Sequence, residues 1–299
     1  SSTKIPRLIT FRVVACLLCL LGPWTPKSTA AMAEEGSSSS IRVLVTGASG
    51  YLGQFLLDAI QVHNARKEEV DIVCAGTFGS RAGGIPTNVT GIHMDMQSAS
   101  SMHKAIGEFR PDVVVNLAAM SSPAVCEKQK EEADAINVPT ALLDALQEVR
   151  SDALFIQVST DQIFDGQNPV YDEESEAVPV NQYGKSKLRF EQILRERWAN
   201  HLILRSSLIY GPKPPRECAR AGSFLQFLDE SLATATEQEP VSLFEDEVRC
   251  PIYVHDVVAI LLAFIRHAKE CTSAPLARTL CMGGPERLSR VAMGELVSS

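Results

Sequence analysis

From residue 41 onward, short apolar runs alternate with segments of helical periodicity. The apolar runs read IRVLVTG (41–47), VDIVCAG (70–76), TGIHMDM (90–96), PDVVVNLAA (111–119), ALFIQVST (153–160) and HLILRSSLIYG (201–211). Because these runs are apolar almost throughout, we expect strands that are covered on both faces, as in a parallel sheet. The helical segments between them would form right-handed crossovers. The alternation therefore predicts an α/β fold with a doubly wound parallel sheet.

The first apolar run ends in a glycine-rich turn, TGASGYLG, which leads into the first helical segment. In such a turn Gly47 allows a tight bend, Gly50 lets backbone N–H groups approach a phosphate, and Gly53 lets the helix pack closely on the strand. The N-terminus of the helix then offers unpaired donors and the positive end of its dipole to a pyrophosphate. A glycine turn at this place predicts a Rossmann-type, dinucleotide-binding domain.

The character of the chain changes after Tyr210. A breaker-rich loop, GPKPPRECARAG, is followed by a helical segment, one or two strands, the apolar-faced helix HDVVAILLAFIRHA and a last strand in ARTLCMGG. We therefore predict an NAD(P)-binding Rossmann domain at residues 41–211. Residues 212–299 would form a smaller C-terminal substrate-binding lobe above the carboxyl ends of the main sheet, where open α/β sheets place ligands.

Residues 1–40 stand apart from this pattern. Basic residues precede an apolar stretch that is too short to span a bilayer, and small residues follow it, as in a secretory signal peptide. The run MAEEGSSSS is instead typical of a cytosolic start and a flexible linker, which would make residues 1–31 an untranslated leader. We prefer the second interpretation, which predicts a cytoplasmic protein, but the secretory route stays open. Neither interpretation places the mature protein in a membrane.

Charge and cysteine content exclude some classes of function. The formal net charge of -8 argues against a general nucleic-acid-binding surface. Cys16 and Cys19 form a CxxC, but their apolar neighbours are atypical of a metal or redox motif. The other cysteines lack pair spacing and favour reduced, mostly buried thiols. No cluster of His, Cys and Asp has metal-ligand spacing, so we predict no metal site.

The segment NQYGKSKLRFEQIL carries Tyr183 and Lys187 four residues apart, which places both side chains on one face of a helix. A phenol whose pKa is about 10 is a poor proton shuttle at neutral pH. We expect the ammonium of Lys187 to lower that pKa. The strand end VSTDQIFDG adds Ser159 and Thr160, and a hydroxyl there could orient a substrate carbonyl. The combination predicts hydride transfer with Tyr183 moving the proton.

These motifs resemble those of the extended short-chain dehydrogenase/reductases, in the spacing of the glycine turn, the segment NLAA and the Tyr-x-x-x-Lys pair. The strongest resemblance is to the dTDP-4-dehydrorhamnose reductase-like family, which includes the methionine adenosyltransferase regulatory β subunit. It covers roughly residues 41–290 and rests on VSTDQIFDG, PVYDEESEAVPVNQYGKSKL, LILRSSLIYG and RCPIYVHDVV.

The resemblance implies roles for individual residues. It implies that Thr160, Tyr183 and Lys187 are catalytic, and that Thr160, Gln162 and Arg249 contact the substrate. Asp95 matches the residue that usually meets the adenine. The residues implied to bind the cofactor are Gly47, Ser49, Gly50, Tyr51, Leu52, Gly53, Ser80, Arg81, Asp95, Asn116, Ala118, Ala119, Tyr183 and Lys187.

The second apolar run indicates which cofactor to expect. No acidic residue ends DIVCAGTFGSRAGG, where an acid would grip the ribose hydroxyls of NAD. Arg81, with Ser80, could instead meet a 2′-phosphate, which predicts NADP. NAD stays open, because Arg81 could instead be a solvated loop residue.

Two departures from the family pattern bear on function. Gln162 stands where the family has an aromatic residue after Ser-Thr-Asp, and in the lobe only Arg249, Pro251 and Asp256 match clearly. The family continues past the helical segment that follows GGPERLSR, so we expect the lobe to be truncated at its C-terminal end.

Two functions therefore stay open, with an epimerase of the same branch as a weaker third. The intact set of Thr160, Tyr183 and Lys187 favours an NADP(H)-dependent oxidoreductase that reduces a keto group of a nucleotide sugar. The divergent lobe favours an NADP-binding regulatory subunit, with a methionine adenosyltransferase catalytic subunit as its partner and little or no reductase activity. An oligomer is compatible with either function.

Overall fold

The computed structural model describes residues 40–66, 70–218, 224–270 and 274–298. The predictions for the leader or signal-like segment, including the CxxC of Cys16 and Cys19, lie outside the described residues. The five cysteines that the structure describes and characterises are all free thiols, Cys74, Cys126, Cys218, Cys250 and Cys281.

Eleven strands are present in the described part of the chain. They are β1 (Ile41–Thr46), β2 (Ile72–Phe78), β3 (Thr90–His93), β4 (Val113–Asn116), β5 (Leu154–Thr160), β6 (His201–Ser206), β7 (Ile209–Tyr210), β8 (Val248–Arg249), β9 (Ile252–Tyr253), β10 (Arg278–Met282) and β11 (Leu288–Ser289). Seven of them form one parallel sheet in the order β10-β6-β5-β4-β1-β2-β3. From the centre of the sheet, the strand order runs β1-β2-β3 to one side and β4-β5-β6 to the other. The place where the order changes direction, between β1 and β4, is the switch point of a doubly wound fold, and ligands bind there.

Helices cover both faces of this sheet. The helices of the described residues are α1 (Tyr51–Ala65), α2 (Ala99–Phe109), α3 (Pro123–Lys128), α4 (Lys130–Asn137), α5 (Thr140–Val149), α6 (Gln182–Arg197), α7 (Phe224–Thr234), α8 (Val254–Glu270) and α9 (Arg290–Ser298), of which α1 and α8 pack on one face of the sheet and α2, α5 and α6 on the other. Alternate residues of β1 face opposite ways, since Val43 and Val45 pack with α1 and α8 while Leu44 packs with α2, α5 and α6. The predicted doubly wound, Rossmann-type sheet is confirmed.

The predicted strands are present but several end early. The run 90–96 is a strand only as far as His93, and the run 111–119 only from Val113 to Asn116. After Asn116 the backbone N–H groups of Leu117 and Ala118 donate to Thr46 Oγ1 instead of continuing a ladder. The run 201–211 breaks into β6 and β7, and β7 pairs with β9 outside the main sheet. Each early end creates a turn at the carboxyl edge.

Helices α3 and α4 are not part of the sequence prediction. They pack beneath the start of α6, where Cys126, Ala133 and Met120 form a small apolar cluster with Tyr183. Asn137 fastens this cluster, because its amide donates to Ser186 Oγ and accepts from the Met120 backbone. The two helices therefore fix the depth at which Tyr183 is buried.

The boundary predicted at residue 211 does not separate two independent units. Strand β10 pairs with β6 in the main sheet, and α8 packs against α1, so both belong to the Rossmann core. The sequence analysis assigned β10 and α8 to the lobe because a breaker-rich loop precedes both elements in the chain. The remainder of 212–298 is small: α7 and α9 pack together, and β8 pairs with β11. No helix among the described residues is long and apolar enough to span a membrane.

A fragment of residues 41–211 should therefore not fold cooperatively. The fragment would lack β10, the partner of β6. It would also expose the apolar surface of the core that Val257, Leu261 and Ile265 of α8 cover in the full chain. We expect a urea transition without a cooperative midpoint by circular dichroism, and poor amide dispersion by NMR. Residues 40–298 are the matched control. A sharp transition of the fragment would contradict the shared core.

Candidate functional site

The segments predicted to form the site all follow strands of the main sheet. The glycine turn follows β1, Ser80 and Arg81 follow β2, Asp95 follows β3, the NLAA segment follows β4, and Thr160 ends β5. Because the strands are parallel, their carboxyl ends lie along one edge of the sheet. The structure therefore gathers these residues at a single edge.

The three residues predicted to be catalytic meet where α6 crosses the end of β5. The hydroxyl of Tyr183 lies near the side chain of Thr160, which acts to lower the pKa of the phenol. The Nζ of Lys187 donates to the carbonyl oxygen of Val158 over 2.7 Å. All three side chains are buried. The phenol, the Thr160 hydroxyl and the ammonium thus form one compact set.

Burial controls the protonation of this set. Burial raises the pKa of Tyr183 to about 12, although the Thr160 side chain acts in the opposite direction. Our expectation that the Lys187 ammonium would lower the pKa of the phenol is therefore wrong: burial is the largest influence on this pKa, and the cation that acts to lower it is Arg249. Burial also lowers the pKa of Lys187 to about 8, with the Glu191 carboxylate acting against it. At neutral pH the phenol is protonated and ready to donate a proton.

A buried ion pair behind these residues was not predicted. Glu191 lies on α6 and Arg205 on β6, and the guanidinium donates to Glu191 Oε2 through Nε and Nη2. Glu191 Oε1 accepts from Ser159 Oγ over 2.5 Å. A signal for Glu191 was available, because it follows Lys187 by four residues and so shares the face already assigned to the site.

Gln162 is turned toward the start of α6. Its Oε1 accepts from Asn181 Nδ2 over 2.9 Å, and Asn181 in turn caps the helix by accepting from the Gly184 N–H. A Cβ at Gly184 would lie 2.1 Å from the Gln162 carbonyl oxygen, so the two backbones are in direct contact. The side chain that departs from the family pattern thus helps to hold the helix that carries Tyr183.

Arg249 reaches the same region from β8. Its Nη1 donates to Asp161 Oδ1 over 2.8 Å, and its side chain is 12% exposed. Glu247 lies on the other side, with 3.5 Å between its Oε1 and Arg249 Nε. The guanidinium therefore lies beside the residue that follows Thr160, although its predicted contact with a substrate stays a prediction.

The glycine turn has the shape that a dinucleotide requires. Gly47 has a φ of +61°, and a Cβ there would lie 2.8 Å from the Ala118 backbone nitrogen. A Cβ at Gly53 would lie 2.7 Å from Ala48 Cα, so helix and strand are in close contact. Helix α1 begins at an N-cap glycine, Gly50, without a side-chain cap or an acidic residue in its first turn. The donors of that turn fit a pyrophosphate.

Asn116 supports the turn from within the sheet. Its Oδ1 accepts from Thr46 Oγ1 over 2.5 Å, and its Nδ2 donates to Gln157 Oε1 over 2.7 Å. Both polar ends of the side chain are used across β1, β4 and β5. Ala118 and Ala119 follow as small, half-buried residues at the edge, and the Ala118 backbone lies against Gly47 of the turn.

Two polar groups of the turn are already engaged in hydrogen bonds within the protein. The Tyr51 hydroxyl donates to the Pro212 carbonyl over 3.0 Å, and the Ser49 carbonyl accepts from Gln54 Nε2. The predicted contact of Ser49, Tyr51 and Leu52 with a phosphate therefore stays a prediction, and the Tyr51 hydroxyl is already engaged with Pro212.

The residues predicted to meet the outer part of the cofactor are exposed. Ser80 and Arg81 lie in the turn directly after β2. Asp95 is exposed too, and its Oδ1 accepts from the backbone N–H of Gln97. Among the residues that the structure describes, no group of three or more His, Cys, Asp or Glu is placed to hold a metal ion.

Comparison with known proteins agrees with the fold. The profile of a protein family described as RmlD substrate binding domain matches residues 41–299. Methionine adenosyltransferase 2 subunit beta of Bos taurus is 31% identical over 266 residues, which cover 87% of this chain and 72% of that protein. The dTDP-4-dehydrorhamnose reductase of Sinorhizobium fredii is 29% identical over 213 residues, which cover 69% of this chain and 67% of that enzyme.

A solved structure shares the architecture. The dTDP-4-dehydrorhamnose reductase of Bacillus anthracis in complex with NADP superposes with a TM-score of 0.66 at 24% identity. The match covers 86% of this chain and 79% of the bacterial one. This likeness confirms the fold.

The depressed pKa of Lys187 predicts a pH-dependent stability. Burial lowers this pKa from 10.5 to about 8, so between these values the unfolded chain binds more protons than the folded one. The contribution of Lys187 should therefore increase as pH rises through this window, by on the order of 3 kcal/mol. In urea titrations at a series of pH values, wild type should gain stability relative to Lys187→Met. Parallel pH profiles of the two proteins would contradict the buried ammonium.

Proposed function

Because the chain belongs to the RmlD substrate binding domain family, we propose that it is an NADP(H)-dependent oxidoreductase that reduces a keto group of a nucleotide sugar. The observation that carries the proposal is the buried set of Thr160, Tyr183 and Lys187 at the same edge of the sheet as the glycine turn. A phenol, a hydroxyl and an ammonium at this edge are the groups that a carbonyl reduction needs.

NADP is the cofactor that the described residues fit best. The glycine turn and the start of α1 would hold the pyrophosphate, and the exposed Arg81 would meet a 2′-phosphate. A bacterial reductase of the same fold is described in complex with NADP. NAD is the alternative if Arg81 makes no such contact. When bound, the nicotinamide supplies the hydride.

The chain itself supplies the proton and its placement. Thr160 and Tyr183 would both donate to the carbonyl oxygen of the substrate, which fixes the orientation of the keto group. As the carbonyl carbon gains a hydride, its oxygen gains negative charge and takes the proton from Tyr183. Burial has kept that proton in place, since it raises the pKa of the phenol to about 12. The nearby Lys187 ammonium would then stabilise the phenolate until it is protonated from solvent.

Arg249 is the residue best placed to contribute to substrate binding. Its guanidinium is partly exposed, and Asp161 and Glu247 hold it in place. A fixed guanidinium can bind a negatively charged oxygen through two parallel hydrogen bonds. A nucleotide sugar carries such oxygens on its diphosphate.

The proposal predicts turnover that depends on Tyr183. Incubation with NADPH and dTDP-4-dehydrorhamnose should lower the absorbance at 340 nm, and Tyr183→Phe should reduce the rate by about 100-fold or more. The variant should keep its affinity for NADPH, measured by fluorescence titration. If wild type binds NADPH but oxidises it no faster than Tyr183→Phe, the reductase function fails for this substrate.

A second candidate function is regulation of a methionine adenosyltransferase by an NADP-bound subunit. The observation that favours it is coverage: the bovine regulatory relative aligns with 87% of this chain, against 69% for the Sinorhizobium reductase. Gln162, which stands where the family has an aromatic residue, points in the same direction because its side chain is bonded to Asn181, the N-cap of α6.

Binding to a catalytic subunit separates the two functions. The regulatory function predicts co-elution of the full chain with a methionine adenosyltransferase catalytic subunit in size-exclusion chromatography, with NADPH present. Tyr183→Phe is the matched control, because the buried phenol contributes little to the surface and should leave the complex intact. Absence of a complex at micromolar concentrations, with and without NADPH, would contradict regulation.

A further inference from the structure

One face of α6 is joined to the end of β5 by three consecutive contacts. Residues at intervals of four on the helix meet three adjacent residues of the strand, which places the contacts one helical turn apart. The pairs are Tyr183 with Thr160, Lys187 with Val158, and Glu191 with Ser159. The first two pairs belong to the set described above, and the third has no assigned role.

Glu191 is completely buried and its carboxylate is fully engaged. One oxygen accepts from Ser159 Oγ, and the other accepts from Arg195 at 3.0 Å and from Arg205 at 3.2 and 3.1 Å. Arg195 lies toward the surface, whereas Arg205 is 5% exposed. A charge this deep is retained only when its partners hold it firmly.

Arg205 is itself fixed from two further directions. Its Nη1 donates to the backbone carbonyl of Glu173 at 3.1 Å, and its guanidinium lies over the Phe164 ring, 5.5 Å from the centroid. The Glu173 side chain accepts from the Cys281 N–H on β10. The position of the Glu191 carboxylate is therefore set by β5, β6 and the loop before α6, as well as by its own helix.

We propose that Glu191 is a positioning residue for the reductase site, which fixes Ser159 next to Thr160 and places a negative charge behind Lys187. The inference rests on the proposed function. Glu191 would touch neither substrate nor cofactor, and would act through the strand end and through the ammonium.

The charge matters because Lys187 has little water around it. Burial lowers the pKa of Lys187 to about 8, and the Glu191 carboxylate is the neighbour that raises it again. Without that carboxylate the ammonium would lose its proton near neutral pH. The other charged or titratable groups around this region are Tyr183 and Arg195 on α6, Arg205 on β6, Asp161 after β5, Glu173 in the loop, Cys281 on β10 and Arg249 on β8.

Glu191→Gln is the decisive variant, since it keeps the shape of the side chain and removes its charge. Ser159→Ala is the matched control, since it removes the hydrogen bond and keeps the charge. Arg195→Gln removes the surface partner of the same carboxylate. The pKa of Lys187 can be followed in the full chain by ¹³C NMR of the lysine Cε, with the signal assigned by comparison with Lys187→Met.

We expect Glu191→Gln to lower the pKa of Lys187 by about 1 unit or more, because an opposite charge nearby has been removed. NADPH affinity should then begin to weaken at a correspondingly lower pH. Ser159→Ala and Arg195→Gln should leave the Lys187 pKa nearly unchanged. An unshifted pKa in folded Glu191→Gln, or an equal shift in Ser159→Ala, would overturn the proposal.

If Glu191→Gln does not fold, a double variant of the chain provides the test. Glu191→Gln combined with Arg205→Gln removes both charges and leaves two amides that can bond to each other. Loss of the carboxylate should again lower the pKa of Lys187, though by less than in Glu191→Gln because loss of the Arg205 charge acts in the opposite direction, and a value at or above that of wild type overturns the proposal. Neither readout requires turnover. A wild type that binds NADPH without oxidising it would therefore refute the proposed reaction, while the Lys187 titration still decides the role of Glu191.

Discussion

The attachment of α6 to the end of β5 is the interaction on which the site depends. The end of β5 presents the Val158 carbonyl oxygen and the hydroxyls of Ser159 and Thr160 to the helix. Facing them, α6 carries the Lys187 ammonium, the Glu191 carboxylate and the Tyr183 phenol. These groups are buried, so each must be satisfied by another of the set. Helices α3 and α4 below and the Asn181 cap at its start keep α6 at the right depth. A small change in that helix would disturb proton donor, ammonium and strand end together.

Much of the fold could be predicted because buried parallel strands read as nearly continuous apolar runs. The predicted runs located the first six strands of the sheet, and glycines at 47, 50 and 53 located the first turn. The strand ends were less predictable. The N–H groups of Leu117 and Ala118 donate to the Thr46 side chain instead of extending β4, and a local pattern does not show this contact. The sequence analysis did not assign β10 and α8 to the main sheet and its cover. Local residue patterns describe neighbours along the chain, whereas strand pairing joins residues that are far apart in sequence.

The site was predictable where residue type and spacing determine geometry. Tyr183 and Lys187 share a helix face by their spacing, and Thr160 follows from its place at a strand end. The buried pair of Glu191 and Arg205 was missed, because a charged residue in a helical pattern usually lies in solvent. The protonation of Tyr183 was expected in the wrong direction for a similar reason. Spacing shows which charges are near, but it does not show how much water has been removed.

The position of β10 has a consequence for how the protein comes to fold. Strand β6 has β5 on one side and β10, residues 278–282, on the other. During synthesis, this edge stays open until those residues have left the ribosome. The pairing spans a long stretch of chain, and such non-local contacts form slowly. An unpaired edge next to the strand that carries Thr160 is a surface for aggregation.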